Sequence, residues 1–452
     1  MKSINPYTGK TIAEYDEYPS SKVDKIIIEL QDGFDNWKSI SLNKRCLYNI
    51  KMANLLESKK TFLAELITHE MGKPNSEALA EIEKCIWLCK YYSNPEVLGI
   101  DPVAIKTEAK YSGITFEPIG IIFAIMPWNF PFWQVFRFAI PCISAGNVVL
   151  LKHAPNVCGC SLAIEALFLE VFSEIRTFKS ILIEAERSEE IIQQPYIKGV
   201  TITGSEKAGK SVASIAGKYL KKVVLELGGS DPFIVFEDAN IEKCCKAAVR
   251  SRMLNAGQVC IAAKRFIVHE SVFEKFIDAI SLSINKLNIG DPMLPETEIG
   301  PMARPDLLDG IEKQVNDSIA KGAKVIIGGK RDTLHNGFYL PTLLTNITED
   351  MPVFCEETFG PVAVLIPFKT DEEAIRLANN TRFGLGASIW TNDLVKAEII
   401  SKSIDSGCVF INSMVKSDPR LPFGGSKNSG MGRELTSLGV QEFMNIKTWW
   451  ID

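Results

Sequence analysis

One cysteine and one carboxylate, each close to glycine, are the side chains of this sequence best suited to chemistry. Cys260 ends the segment 255–260, and Glu226 lies in the segment 225–229. A thiolate attacks carbonyl carbon well, and a carboxylate can activate the water that later releases the product. Most cysteines, however, are small buried hydrophobic residues, so Cys260 considered alone fits a structural role better. A catalytic role depends on the rest of the chain.

Asn129 is a third candidate, because it lies in a proline-containing turn at residues 126–131. The turn follows an apolar run and precedes a helix that Pro131 can begin. An asparagine at such a position can point its amide at a developing oxyanion, although it is more commonly a simple cap. Two further blocks, 356–361 and 422–430, contain the glycine and proline of tight turns near a ligand.

The elements that must position these residues follow two hydrophobic patterns. Residues 20–95 carry apolar side chains at helical spacing, which predicts amphipathic helices. From about residue 119 onward, short β-branched runs alternate with helical stretches, as in a parallel sheet buried on both faces. The predicted strands are 119–125, 147–151, 200–203, 222–226, 232–236, 265–268, 324–327 and 362–366.

These patterns predict two α/β domains, with Gly228 and Gly229 at the candidate boundary. The C-terminal segment 442–450 is a further strand, and it is too apolar to remain an open edge. We therefore expect this strand to pair with another subunit.

Composition narrows the classes of function. The chain has 452 residues, enough for two or three domains, and a formal net charge of -5 without a long basic run. Nucleic acid and anionic membrane are therefore not expected partners. The very apolar stretch 119–151 is interrupted by prolines and by Arg137, which indicates buried core rather than a membrane span.

Cysteine and histidine usage predicts the compartment and argues against a metal site. The 11 cysteines are scattered through a chain that begins without an apolar signal region, which favours reduced thiols in the cytoplasm. The 4 histidines do not recur with cysteines or acids at the spacing of a zinc site, so no metal is expected.

Five blocks together resemble the NAD(P)-dependent aldehyde dehydrogenase superfamily, and the resemblance extends from residue 5 to residue 450. One such block would be weak evidence for the family, whereas five blocks in the family's order and spacing are specific evidence. The blocks are 127–131, 226–229, 257–260, 357–361 and 422–425. Within the superfamily, the segments 152–156 and 228–233 look like those of the shorter bacterial succinate-semialdehyde dehydrogenases.

The resemblance implies the aldehyde dehydrogenase fold. This is an α/β fold with a Rossmann-like cofactor domain, an α/β catalytic domain and a small β oligomerisation element. The implied boundaries are 1–100 and 119–228 for the NAD(P)-binding domain, 229–430 for the catalytic domain, and 101–118 and 442–452 for the oligomerisation element. The resemblance also implies a homodimer or a homotetramer.

The resemblance assigns roles that agree with the chemistry considered first. Cys260 attacks the aldehyde, and Asn129 and the backbone N–H of Cys260 hold the oxyanion of the thiohemiacetal. Hydride then passes to NAD or NADP, and Glu226 activates the water that hydrolyses the thioester. Glu357 holds the nicotinamide ribose, with Phe359 near the ring, and Lys152 reaches the adenosine ribose. The other implied cofactor contacts are Met126, Pro127, Trp128, Gly204, Ser205, Gly209 and Leu227.

The predicted substrate end contains Phe130, Gln134 and Arg137, which a helix would present on one face at i, i+4 and i+7. The resemblance adds Phe423. Succinate-semialdehyde dehydrogenases carry an arginine where Arg137 stands, and a guanidinium fits a carboxylate bidentately. The alternative is that Arg137 pairs with a structural acid. Succinate semialdehyde is therefore the predicted substrate, and a medium-chain or aromatic aldehyde is the alternative.

Several positions depart from the family pattern. Leu254 replaces a second family arginine, for which Arg420 is a candidate substitute. Pro155 stands where NAD-specific relatives often carry glutamate, so NADP is not repelled and both cofactors are expected to work. Residues 181–187 lack the glycine-rich loop of many relatives, and Ala262 replaces the second cysteine of a redox switch found in some.

A competing motif lies at residues 204–211, which match the phosphate-loop pattern GxxxxGK[ST] between a predicted strand and a predicted helix. Residues 233–238 resemble the strand and acidic end that would hold magnesium in such a protein. A P-loop nucleotide triphosphatase is therefore the second functional hypothesis, and a catalytically inactive relative of the dehydrogenases is the third. The dehydrogenase hypothesis accounts for nearly the whole chain.

Overall fold

A computed structural model describes residues 1–452. Its α-helices are α1 (Ser20–Trp37), α2 (Leu42–Met71), α3 (Asn75–Tyr91), α4 (Trp133–Ser144), α5 (Cys158–Val171), α6 (Ser188–Ile192), α7 (Glu206–Lys218), α8 (Ile241–Met253), α9 (Phe273–Ile284), α10 (Pro305–Ala320), α11 (Pro352–Cys355), α12 (Asp371–Asn379), α13 (Leu394–Lys402) and α14 (Thr436–Glu442). Its strands are β1 (Lys2–Ile4), β2 (Thr11–Glu14), β3 (Val103–Ala104), β4 (Tyr111–Pro118), β5 (Ile121–Met126), β6 (Val148–His153), β7 (Phe178–Ser180), β8 (Ile197–Thr203), β9 (Lys222–Glu226), β10 (Asp231–Val235), β11 (Ala263–His269), β12 (Lys324–Ile327), β13 (Thr342–Thr345), β14 (Val362–Phe368), β15 (Phe383–Gly384), β16 (Gly386–Trp390), β17 (Cys408–Ile411), β18 (Ser426–Lys427), β19 (Gly430–Met431) and β20 (Met444–Ile451).

Six strands form the first sheet, in the order β19-β9-β8-β5-β6-β7. All neighbours run parallel except β19, which pairs antiparallel with β9. Strands β6 and β8 lie on opposite sides of β5. In sheets of this kind, ligands bind at the carboxyl ends of the strands next to such a reversal of order. The ends of β5 and β8 therefore mark the expected crevice.

The three N-terminal helices pack into the core of this first sheet. Ile27 of α1, Leu56 of α2 and Ile82 of α3 share one hydrophobic core with Ile122 of β5 and Val149 of β6. The prediction of amphipathic helices over residues 20–95 is confirmed, because their apolar stripes are buried in this way.

Seven strands form the second sheet, in the order β12-β13-β14-β11-β10-β16-β17. Side chains alternate between its faces, so Phe233 and Ile234 of β10 belong to two different hydrophobic cores. Strands β11 and β14 are parallel neighbours. The segments that precede them, 254–262 and 356–361, therefore meet at the same edge of the sheet.

All eight predicted strands are present, with limits that differ from the prediction by three residues or fewer. The parallel orientation predicted for 324–327 is wrong, because β12 runs antiparallel to β13 and is mostly exposed, as an edge strand can be. The short strands β7, β13, β16 and β17 were not predicted. None of the helices is both long enough and apolar enough to span a membrane.

A third, antiparallel sheet has the order β20-β4-β3. Strand β20 pairs along its whole length with β4 of the same chain, from Met444 opposite Pro118 to Ile451 opposite Tyr111. The predicted C-terminal strand is therefore present, and β4 of the same chain supplies the hydrogen bonds on one edge, while its pairing with another subunit remains a prediction. The second edge of β20 remains open.

Candidate active site

The loop that carries the candidate nucleophile is held in a strained conformation. It follows α8, and Asn255 and Ala256 have φ angles of 52° and 51°, in the left-handed region that costs a non-glycine residue on the order of 1–3 kcal/mol. The backbone N–H of Asn255 donates to Oε2 of Glu77 at 2.8 Å. Fully buried Arg252 donates to the carbonyl of Gly360, which ties the loop to the segment before β14.

Cys260 lies at the end of this loop and is partly exposed. Its carbonyl oxygen accepts a hydrogen bond from Nζ of Lys264 at 2.6 Å. Burial among protein atoms raises the pKa of the thiol to about 11, although the charges of Lys264 and Arg137 oppose this rise. At neutral pH the group is therefore a thiol, and its reaction requires a base.

Glu226 ends β9 and is 2% exposed, and neither of its carboxyl oxygens has a hydrogen-bond partner. Burial raises its pKa well above the ordinary value, and the neighbouring charge of Glu434 raises it further, whereas Arg137 lowers it. A buried carboxyl group with a strongly perturbed pKa is typical of an acid–base catalyst.

Asn129 lies against the Cys260 loop. Its Nδ2 donates to the carbonyl of Gln258 at 2.9 Å, and its Oδ1 accepts from Nε2 of Gln134 at 3.1 Å. Its own carbonyl accepts from Nδ2 of Asn255 at 3.0 Å. Asn129 is thus linked to the loop that carries Cys260, while its oxyanion role remains a prediction, because its amide is engaged with Gln258.

Arg137 forms a buried ion pair with Glu434, which is the alternative that the sequence left open. The guanidinium carbon lies 4.6 Å from the ring centroid of Phe423, and Nη2 has no hydrogen-bond partner. The partner acid could not be identified from the sequence, because 297 residues cannot be bridged by a spacing rule.

Phe130 does not lie on one helix face with Gln134 and Arg137, because α4 begins only at Trp133. It belongs to the preceding turn, where its carbonyl accepts from the N–H of Gln134 at 3.1 Å. Its ring centroid lies 3.6 Å from Nζ of Lys73. The i, i+4, i+7 prediction was wrong here because the turn after Pro131 delays the helix.

Arg420, the candidate substitute for the missing second arginine, lies at the surface in an ion pair. Its side chain is 64% exposed and pairs with Asp418, with Nη2 at 2.8 Å from Oδ2. Its guanidinium also lies 5.5 Å from the ring centroid of Trp87. It therefore does not extend into the interior beside Arg137.

The residues predicted to hold the cofactor lie at the carboxyl ends of the first sheet. Met126 ends β5, with Pro127 and Trp128 directly after it, and Gly204 follows β8. Ser205 caps α7, its Oγ accepting from the N–H of Ala208 at 3.3 Å.

Two further observations at this edge fit an anionic ligand. A Cβ on Gly209 would lie 2.4 Å from Cδ2 of Leu227, so only glycine lets α7 approach that segment. Lys152 is buried and makes no ion pair or hydrogen bond, and burial lowers its pKa. An ammonium without an ion pair at the same sheet edge as the N-terminus of α7 suits the phosphates of a dinucleotide.

Glu357 and Phe359 lie at the facing edge of the second sheet. Oε1 of Glu357 accepts from the N–H of Gly229 at 3.1 Å and pairs with Nζ of Lys264 at 3.2 Å. The ring of Phe359 contacts Trp128 edge to face, with centroids 5.9 Å apart. Both line an open cleft of about 430 Å³.

One face of α3 holds the aldehyde side of the site together, and the sequence did not predict this. Glu77, Glu81 and Lys84 recur at i, i+4 and i+7. Glu77 holds the Cys260 loop. Glu81 accepts from the N–H groups of Phe132 and Trp133 at 2.8 and 2.9 Å, where α4 begins.

The third member of that face contacts the loop after β17. Nζ of Lys84 donates to Oγ of Ser417 at 2.8 Å. The signal for this role in the sequence was that the charged residues recur at helical spacing, alternating with the buried apolar residues Ala78, Ile82 and Cys85. A charged helix face is usually solvated, so this signal is weak.

The phosphate-loop hypothesis is wrong. Helix α7 already begins at Glu206, so Lys210 lies within the helix, where it pairs with Glu206 at 2.6 Å. Asp238 follows β10 in the other sheet, and its carboxylate accepts from Thr391 and Asn392. The two halves of the motif therefore cannot hold one nucleotide and its magnesium. No group of three or more His, Cys, Asp or Glu side chains could hold a metal ion.

Comparison with known proteins gives a match along the chain. The model of the aldehyde dehydrogenase family matches residues 1–449. A probable succinate-semialdehyde dehydrogenase (NADP+) of Synechocystis sp. is 45% identical over 451 residues, 100% of this chain and 99% of the relative. The succinate-semialdehyde dehydrogenase (NADP+) 1 of Mycobacterium bovis is 42% identical over 100% of this chain and 99% of its own. The crystal structure of succinic semialdehyde dehydrogenase from Streptococcus pyogenes with NADP+ has a TM-score of 0.97 at 33% identity, covering 100% of this chain and 99% of that one.

Proposed function

This chain belongs to the aldehyde dehydrogenase family, and we propose on that basis that it oxidises succinate semialdehyde to succinate with reduction of NADP. The relatives compared above carry the name of that activity. The observation that carries the substrate proposal is positive charge beside the nucleophile. Burial raises the pKa of the Cys260 thiol, and the two cations near enough to oppose this rise are Lys264 and Arg137. An aldehyde with an anionic far end therefore meets cationic surroundings.

The chain's own residues divide the reaction between them. Cys260 first releases its proton to solvent, and the thiolate forms a bond to the aldehyde carbon while the carbonyl π bond breaks onto oxygen. The resulting oxyanion then replaces the Gln258 carbonyl as the acceptor for the Asn129 amide. NADP supplies the acceptor for the hydride that leaves this carbon. Glu226, once ionised, removes a proton from water, and the hydroxide displaces Cys260 from the thioester. Burial serves this step, because a carboxylate without hydrogen-bond partners is a stronger base.

The cofactor is proposed to bind where β5, β6 and β8 end. The unpaired ammonium of Lys152 and the N-terminus of α7 face the same edge and attract phosphate. Pro155 adds no negative charge there. NADP and NAD are therefore both proposed to work, with NADP preferred. We propose that Glu357 gives up its hydrogen bond with the N–H of Gly229 and binds the nicotinamide ribose instead.

The domain boundaries remain part of this proposal. The cofactor domain comprises 1–100 and 119–228, the catalytic domain 229–430, and the oligomerisation element 101–118 and 442–452. The open edge of β20 supports assembly into a homodimer or homotetramer. The 11 unpaired cysteines support a reducing compartment, for which the cytoplasm is proposed.

An aldehyde panel tests the substrate. Succinate semialdehyde, butanal and benzaldehyde are each assayed with saturating NADP and with saturating NAD. We expect the highest kcat/KM for succinate semialdehyde with NADP. A preference for butanal or benzaldehyde would contradict the substrate but not the family.

Two variants test the mechanism. Cys260→Ala should abolish aldehyde oxidation and leave NADP binding, measured by titration calorimetry, unchanged. Glu226→Gln should form NADPH in a rapid burst of about one equivalent per site, followed by slow turnover, because hydrolysis of the thioester then limits the rate. Repeated turnover of Cys260→Ala near the wild-type rate would exclude the mechanism.

A further inference from the structure

Lys84 is a cation without an acidic partner. Its Nζ donates one hydrogen bond, to Oγ of Ser417 at 2.8 Å, and lies 4.1 Å from the ring centroid of Trp133. It forms no ion pair, and two of its three N–H donors have no partner in the protein. An ammonium group is usually compensated when protein surrounds it, so this arrangement requires an explanation.

The acids nearest to Lys84 are engaged elsewhere. The Glu81 carboxylate pairs with Lys73 and caps the start of α4. Asp418 pairs with Arg420 and accepts its N–H at 3.0 Å. Neither carboxylate can turn to Lys84 without losing these bonds. The positive charge of the site therefore remains available for a ligand.

Arg137, the other cation of this region, is differently placed. Glu434 already neutralises it, and both side chains are buried. A substrate carboxylate at Arg137 would have to compete with, or lie beside, that existing carboxylate. At Lys84 there is no such competitor, and the residue is only partly buried, so a ligand can reach it from solvent.

Ser417 completes the binding geometry. Its Oγ accepts both from Lys84 and from Nε1 of Trp133, at 3.1 Å, so its own hydroxyl hydrogen can turn to a further acceptor. Two donors side by side match the two oxygens of a carboxylate. Trp133, which contacts both donors, begins α4 four residues before Arg137, and the charge of Arg137 acts on both Lys84 and Cys260.

We propose that Lys84, held by Ser417 and Trp133, binds the distal carboxylate of the substrate and selects it over uncharged aldehydes. The inference rests on the proposed function, because it requires a substrate with an anionic end. It moves the main carboxylate contact from Arg137 on α4 to Lys84 on α3. Arg137 then acts mainly through its pair with Glu434, beside Glu226.

The charge at Lys84 is also adjustable. Burial, reinforced by the charge of Arg137, lowers the pKa of Lys84 to about 8. Of the groups that face it, Arg137 stays protonated and buried Cys85 has its pKa raised far above the ordinary value. Asp418 has a lowered pKa, and Glu81 is paired with Lys73. Between about pH 7 and 9, the charge of this cluster therefore changes mainly at Lys84.

The test compares two substrates in matched variants of α3. In Lys84→Met, kcat/KM for succinate semialdehyde should fall about 10- to 100-fold, and kcat/KM for butanal should change less than about threefold. Lys84→Arg should keep most of the preference. Lys90→Met, an exposed lysine of the same helix, should behave as the wild type. Turnover of butanal confirms that each variant is folded.

A second readout uses pH. In the wild type, the ratio of the two kcat/KM values should fall as pH rises through about 8, and in Lys84→Met this ratio should be flat. Equal losses on both aldehydes, or an unchanged preference in Lys84→Met, would overturn the role of Lys84 while leaving the proposed function standing. A wild type without preference for succinate semialdehyde would overturn both. If only Arg137→Met loses the preference for succinate semialdehyde over butanal, the carboxylate contact is made by Arg137 and not by Lys84.

Discussion

At the scale of single residues, the site depends on two acids whose pKa values are raised by burial. Burial raises the pKa of Cys260 to about 11 and raises that of Glu226 well above its ordinary value. The reactive forms are the thiolate and the carboxylate, and a raised pKa reduces the share of each reactive form at a given pH. The reaction rate should therefore increase as the pH rises.

We expect kcat/KM for butanal to rise continuously from about pH 6 to about pH 9, because a raised pKa means that ionisation, and hence reactivity, increases with pH. Butanal is the suitable substrate, since its binding does not involve the charge of Lys84. Initial rates of NADPH formation at constant ionic strength provide the measurement. A profile that is flat or falls over this range would show that neither ionisation limits the reaction.

Cofactor choice also depends on a single residue. Pro155 follows β6 and the unpaired Lys152. Pro155→Glu should lower the ratio of kcat/KM for NADP to that for NAD by roughly tenfold or more, since a carboxylate near the 2′-phosphate repels it. Pro155→Gln is the matched uncharged control and should change the ratio much less. Equal effects of Glu and Gln would mean that shape rather than charge is responsible.

At the scale of elements, α3 acts as a brace between three segments that are distant in the sequence. It supports the Cys260 loop through Glu77, the start of α4 through Glu81 and the loop after β17 through Lys84. The strained residues Asn255 and Ala256 need such a support, because left-handed backbone persists only when its surroundings hold it.

Glu77 provides the test of this brace. Glu77→Ala leaves the N–H of Asn255 without its acceptor, which costs about 1–3 kcal/mol when it is buried, so kcat should fall by about 10-fold or more. Burial raises the pKa of Glu77 to about 7, and Glu77→Gln, which keeps an acceptor oxygen, should restore most of kcat. NADP affinity should be unchanged in both variants. If Gln and Ala are equally impaired, the hydrogen bond is not what positions the loop.

The elements also show how far the sequence could predict this molecule. Apolar runs such as 147–151 were predicted correctly, because strands buried on both faces carry a strong local signal. Short β7 and partly exposed β17 carry a weak one. The five family blocks identified the residues of the site, whereas the partners of Arg137 and Lys84 depend on contacts across hundreds of residues. No spacing rule contains that information.

At the scale of the whole molecule, the three-stranded sheet exposes apolar side chains. Ile446 is 54% exposed and Trp450 is 48% exposed, both on β20. Light scattering at micromolar concentration should therefore show a dimer or a tetramer. Ile446→Lys together with Trp450→Lys should shift the protein toward the monomer. Leu282→Lys, at a 64% exposed apolar residue of α9, is the matched control and should leave the assembly unchanged. A wild-type monomer would contradict this expectation.

The pairing of β19 with β9 has a consequence for synthesis on the ribosome. The chain emerges from its N-terminus, so β9 and β4 are made early and stay unpaired on one edge until residues 430–451 follow. Until then one edge of the first sheet and one edge of β4 have unpaired backbone groups, which favours aggregation with other chains. Glu226 sits on one of these edges, opposite Gly430. The edge that carries Glu226 can therefore be completed only after residues 430 and 431 have been synthesised.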